Sequence, residues 1–146
     1  MNVTLIRNIA APPDVVFNTV ADISQYAKAV RQIIRVEFLS ETKTGVGTRF
    51  RETRMLAGRE AATELEVTEF SPNERVRLVA DSHGTVWDTV FTVTAQQGQT
   101  ELIAVMEGRA YRLLPKVMNW LIGGMVKKAV AKDMDLVKAY CERAAG

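Results

Sequence analysis

The chain has one cysteine (Cys141) and one histidine (His83) in 146 residues. A lone cysteine excludes an internal disulfide and a multi-cysteine zinc site, and a lone histidine excludes any relay or metal site needing two imidazoles. No phosphate-binding glycine loop or dinucleotide fingerprint occurs, so neither metal nor cofactor is expected. Long hydrophobic runs are missing too. Val117–Val126 is the longest nearly apolar stretch, and it contains Asn119, Gly123 and Gly124. A bilayer needs about 20 apolar residues. The opening residues, MNVTLIRNIAAPPD, lack a basic segment followed by a long apolar core, so a cytoplasmic location is expected.

Charge of one sign is scarce: 19 Lys and Arg face 17 Asp and Glu, a net of +2. No nucleic-acid partner is expected on that balance. The excess is local, with six bases and three acids from Pro115 onward. A solvated helix face accounts for it, and transient contact with an anionic membrane surface is the alternative. What is present is ordinary globular material, 47% hydrophobic and 25% charged. One domain over residues 1–146 is expected, large enough to bury roughly 68–70% of its unfolded surface.

Val3–Ile9 alternates as a strand. Ala11-Pro12-Pro13-Asp14 then opens a helix, where a first-turn proline forfeits no bond and Asp14 complements the dipole. Its apolar face is Val15, Val16, Phe17 and Val20, and Asp22 to about Arg31 suggests a second, shorter helix. From residue 33 the period becomes two. Six runs follow: Ile33–Ser40, Gly47–Leu56, Glu60–Phe70, Arg75–Asp81, Thr85–Thr94 and Thr100–Tyr111. Short turn segments such as Ala57-Gly58, His83-Gly84 and Gln97-Gly98 separate them, which predicts an antiparallel meander. Pro115 to about Ala144 reads as a long helix. On a wheel, Leu114, Met118, Leu121, Ile122, Met125, Ala129, Leu136 and Tyr140 share its apolar side.

Several stretches carry a resemblance. They are Ile9-Ala10-Ala11-Pro12 with Val16-Phe17, then Asp22 and Tyr26, and Gly45-Val46-Gly47-Thr48-Arg49-Phe50. Glu66-Val67-Thr68-Glu69-Phe70-Ser71-Pro72 and Asp135-Leu136-Val137-Lys138 continue it. Together with the element order, they resemble the polyketide cyclase/dehydrase branch of the START-like (Bet v 1-like) superfamily. The resemblance implies an α+β helix-grip fold, a seven-stranded curved antiparallel sheet around a long C-terminal helix. Two short helices stand between the first two strands. It also implies an apolar cavity for a lipid, quinone, hormone or polyketide. Only some such proteins are enzymes, so the family name alone is not an argument for catalysis.

A sheet closed by one helix encloses more than one stripe of Leu, Ile and Met can fill; the alternative is an interior packed solid by Phe and Trp. In Gly47–Leu56 either register buries charge. The register that points Phe50 inward also brings in Thr48, Glu52 and Arg54, and Glu52 and Arg54 can share charge there. That pair is read as a polar anchor for a guest carboxylate or hydroxyl, or as a strand end left wet. On the next strands Ala61, Thr63, Leu65 and Val67, then Val76, Leu78 and Ala80, are expected inward, with Glu64, Glu66 and Thr68 outward. Trp87, Thr89, Phe91 and Val93 follow, then Leu102, Ala104 and Met106. The expected cavity lining adds Tyr26, which either presents its hydroxyl or packs, and Met118, Ile122 and Met125 from the helix.

Catalysis is hard to assemble. Asp81-Ser82-His83 collects relay residue types, but neighbours at a strand end point apart. Cys141 has no histidine partner. Glu52 for proton transfer, with Arg54 opposite an enolate-like oxyanion, is the one candidate pair. Binding of a hydrophobic small molecule, as monomer or homodimer, is the leading expectation. A polyketide cyclase, aromatase or dehydratase is one alternative. A quinone or lipid chaperone working at a membrane surface, suggested by the basic helix and Trp120, is another.

Overall fold

The computed structural model describes residues 1–112 and 116–146, with side chains for all of these except 116–122. In order come β1 (Asn2–Ile9), α1 (Pro13–Ala21), α2 (Ile23–Ala29), β2 (Ile33–Phe38), β3 (Arg49–Leu56) and β4 (Arg59–Ser71). β5 (Arg75–Ser82), β6 (Thr85–Gln96), β7 (Gln99–Ala110) and α3 (Lys116–Ala145) complete the chain. The strands form one antiparallel sheet in the order β1-β7-β6-β5-β4-β3-β2. This is the helix-grip arrangement.

Local chemistry sets each connection. Three hairpins use two-residue turns with both residues left-handed: Ala57 (φ 50°) and Gly58 (77°), His83 (52°) and Gly84 (85°), Gln97 (37°) and Gly98 (81°). Such turns match the right-handed twist of paired strands. Between β1 and β2 a helical corner intervenes. The Asp22 N–H bonds to Asn18 O at the end of α1, and its carboxylate accepts the Ser24 N–H at 2.9 Å at the start of α2. One residue both stops a helix and caps the next. β2 therefore lands on the far sheet edge from β1, and β1 pairs with β7 from Asn2↔Glu107 to Ile9↔Thr100.

The core lies where α1 and the C-terminal half of α3 meet the sheet. Val16, Phe17, Leu102, Met134, Val137 and Cys141 are buried there, and Phe17 meets Phe70 edge-on at 5.3 Å. Full burial of each large apolar side chain stabilises the fold by roughly 1.5–3 kcal/mol. Here the helix wheel needs correction. The face turned most fully inward is Val126, Val130, Met134, Val137 and Cys141, about one residue round from the centre of the expected stripe. Ala129 of that stripe lines the cavity, and Leu136 and Tyr140 pack half-buried against the core. Met125, expected in the cavity, is instead 71% exposed. Cys141 is fully buried and donates to Thr19 Oγ1 at 3.4 Å. Gly123 sits where an added Cβ would lie 3.4 Å from Met1 Sδ, in van der Waals contact with that side chain.

Two strand expectations also change. Ala61 is exposed, because the end of the β3–β4 hairpin lies open, with Met55 41% and Leu56 48% exposed beside it. A bulge between Val67 and Glu69 breaks the alternation of β4. Thr68, expected outward, has its hydroxyl buried with no bond partner among the described residues. Among the described residues no helix is long and apolar enough to cross a membrane.

Candidate functional site

Between the sheet and the middle of α3 lies a cavity of about 370 Å³. The two layers thus pack tightly at the Cys141 end and part at the Val126–Asp133 end. The Phe50 register is the one adopted: Thr48 and Phe50 are buried, and Phe50, Glu52 and Arg54 line the cavity. Thr63, Leu65, Leu78 and Trp87 line it too, as do Thr89, Phe91 and Met106. Tyr26 reaches in from α2, its ring 6.2 Å from that of Phe91. Met118, Ile122 and Trp120 fall outside the residues whose side chains are described.

Four polar residues of the lining, Tyr26, Glu52, Arg54 and Asp133, form one connected cluster. Arg54 Nε donates to Glu52 Oε1 on the same face of β3. Across the cavity its Nη1 reaches the Asp133 carboxylate on α3, 2.9 Å from Oδ2. The Tyr26 hydroxyl donates to Asp133 Oδ2 at 3.1 Å. Three elements distant in sequence, α2, β3 and α3, are joined at one carboxylate, that of Asp133. Burial, reinforced by the nearby Asp133 charge, pushes the Tyr26 phenol well above its ordinary range, so it stays protonated. Burial alone would loosen the Arg54 proton, but Glu52 and Asp133 outweigh it and hold the guanidinium charged.

Asp133 is the residue that sequence reasoning missed. Its signal was present: an acid three residues before Leu136 and four after Ala129, on the side assigned as apolar. Lys43, Leu56 and Val20 also join the lining. Lys43 is exposed at the rim, its ammonium 5.7 Å from the Phe38 ring centroid.

The other chemical candidates lie apart from the cavity. Ser82 Oγ and His83 Nδ1 are 2.8 Å apart on an exposed turn, so one link of the relay does form. Asp81 is not the next link, because its Oδ1 takes the Tyr111 hydroxyl at 2.8 Å. Arg75 and Arg77 join an ion network on the sheet's other face. Arg77 grips Asp88 with two bonds, and Arg75 Nη2 lies 2.9 Å from Glu69 Oε2.

The family model described as "Polyketide cyclase / dehydrase and lipid transport" matches residues 1–142. Among solved structures, the protein TTHA0849 from Thermus thermophilus is similar with a TM-score of 0.82 at 15% identity, covering 100% of both chains. The Zhui aromatase/cyclase from Streptomyces sp. R1128 gives 0.78 at 19%, over 98% of this chain and 94% of that one. A START superfamily protein from Mycobacterium smegmatis gives 0.72 at 16%, over 99% and 96%. At these identities the likeness shows the fold. A search of curated proteins finds no match.

Proposed function

The chain belongs to the polyketide cyclase/dehydrase and lipid transport family, and from that premise we propose that it binds a hydrophobic small molecule in the cavity under α3. One observation carries the reading: a hollow of about 370 Å³ whose lining is largely apolar, with its charges gathered into one cluster and a rim lysine. That size falls within the roughly 300–1,000 Å³ of small-molecule sites, and a few converging polar groups in an oily wall are what such sites use to orient a guest. Trp87 and Phe91 offer flat rigid faces and Met106 an adaptable one, which suits an irregular guest.

The test is binding of the neutral fluorophore N-phenyl-1-naphthylamine, with the hollow then reduced. Ala80 is 3% exposed and lines the cavity. Ala80→Leu should lower affinity at least fivefold while the far-ultraviolet circular dichroism is retained. Saturable binding that Ala80→Leu leaves unchanged would place the fluorophore elsewhere and defeat the reading.

A second reading, a polyketide cyclase, aromatase or dehydratase, is favoured by the acid and base groups that face the hollow. Glu52 is the candidate base and Tyr26 a candidate acid. Against it stands the state of Arg54, whose charge is taken up by two carboxylates and so is poorly placed to stabilise an oxyanion. Glu52→Gln distinguishes the two: loss of turnover of a polyketone with binding retained supports the enzyme, and no turnover by the wild type supports binding alone.

A further inference from the structure

Arg54 faces the cavity with a carboxylate on each of two sides. Glu52 engages Nε and Asp133 engages Nη1, so the cluster holds two acids and one base, formally one negative charge in excess. The Tyr26 proton is already given to Asp133. Arg54 Nη2 still has donors to offer a guest, so it is the net negative charge of the cluster that weights it toward a donor or a cation. Glu52 Oε2 and Arg54 Nη2 have no hydrogen-bond partner among the described residues, and Tyr26 Oη keeps its lone pairs. Lys43 does not restore neutrality there, because it stands exposed at the rim, where solvent and salt screen it.

Resting on the binding reading above, we infer that the guest presents a hydrogen-bond donor to this cluster, a hydroxyl, phenol or ammonium, and not a carboxylate. A donor completes Glu52 at little electrostatic cost. A carboxylate would enter a poorly solvated space against two like charges, with the one guanidinium already shared between them. The expectation of a guest carboxylate or hydroxyl thereby narrows to the hydroxyl, and widens to include amines.

Three ten-carbon amphiphiles test this, each displacing N-phenyl-1-naphthylamine from the full chain at pH 7.5. Displacement by 1-decanol shows that the chain length fits. Decylamine and decanoate, both ionised and equal in length, give the decisive ratio. Decylamine should bind at least tenfold more tightly than decanoate. In Glu52→Gln, and separately in Asp133→Asn should the first variant fold poorly, that ratio should fall at least threefold. Equal or tighter binding of decanoate overturns the inference, as does a ratio that neither variant alters. Failure of the fluorophore and all three amphiphiles to bind would instead remove the binding reading itself, and this inference with it.

Discussion

Asp133 on α3 and Arg54 on β3, 79 residues apart in the chain, meet across the cavity at 2.9 Å. A helix that closes a hollow cannot be held over it by apolar contact alone, because the hollow is where such contacts are missing. The pair supplies a directional bond at that place. Removing one member of a buried pair leaves the other charged and poorly solvated.

Asp133→Ala should therefore destabilise the protein by roughly 3 kcal/mol, the low end of the range for a broken buried pair, since Arg54 keeps Glu52. Asp133→Asn keeps a bond acceptor for Tyr26 and should cost less. Urea unfolding of both variants measures the order, and equal losses would mean that the charge, removed in both, decides and the retained bond to Tyr26 adds nothing.

The rotation of α3 gives a paired prediction. Met134 is 1% exposed and Met125 is 71% exposed. Met134→Ala should cost about 2–5 kcal/mol by opening a void in the core, whereas Met125→Ala should stay within about 0.5 kcal/mol. Thermal denaturation of the two variants separates this orientation from the one expected on the helix wheel.

Acid should weaken the ion network on the sheet's other face. The hydrogen bonds from Arg77 hold the Asp88 carboxyl below its ordinary range. A depressed carboxyl contributes stability above its unfolded value of about 3.9, lost as pH falls through its folded value. Wild type should thus lose stability more steeply than Asp88→Asn below about pH 4. Melting curves from pH 2 to 7 read this directly, and parallel curves would contradict it.

Much of the fold was legible because Gly-containing turns punctuate the meander and Pro13, Asp14 and Asp22 mark the helical corner. The register of β3 was legible from Phe50, the large apolar residue that had to face inward. The orientation of α3 was not. Apolar residues occur all round this helix, and one half covers a hollow, so its sequence is not forced into a single stripe: Met125 and Met134 look alike until the sheet is placed beneath them. Asp133 was hidden for a related reason. An acid within an oily stripe reads as helix surface until Arg54, far away in sequence, is seen to meet it. The displacement at Thr68 comes from a bulge, and one extra residue in a strand leaves no mark in an alternating pattern.

Gly124 lies in the α3 interior, exposed, with nothing within 4 Å of an added Cβ. Gly124→Ala should stabilise the protein by about 1 kcal/mol through helix propensity alone. If the glycine pair worked as a hinge for entry to the cavity, the same variant would slow guest association in stopped-flow fluorescence; the expected association rate is unchanged.

Native mass spectrometry of the protein purified from its own host addresses the cavity most directly. The account predicts a discrete non-covalent adduct that organic solvent releases, an apolar compound bearing a hydroxyl or amine, and its absence from the Ala80→Leu variant. The bare chain mass from the same host, together with no saturable uptake of a neutral fluorophore, would contradict it.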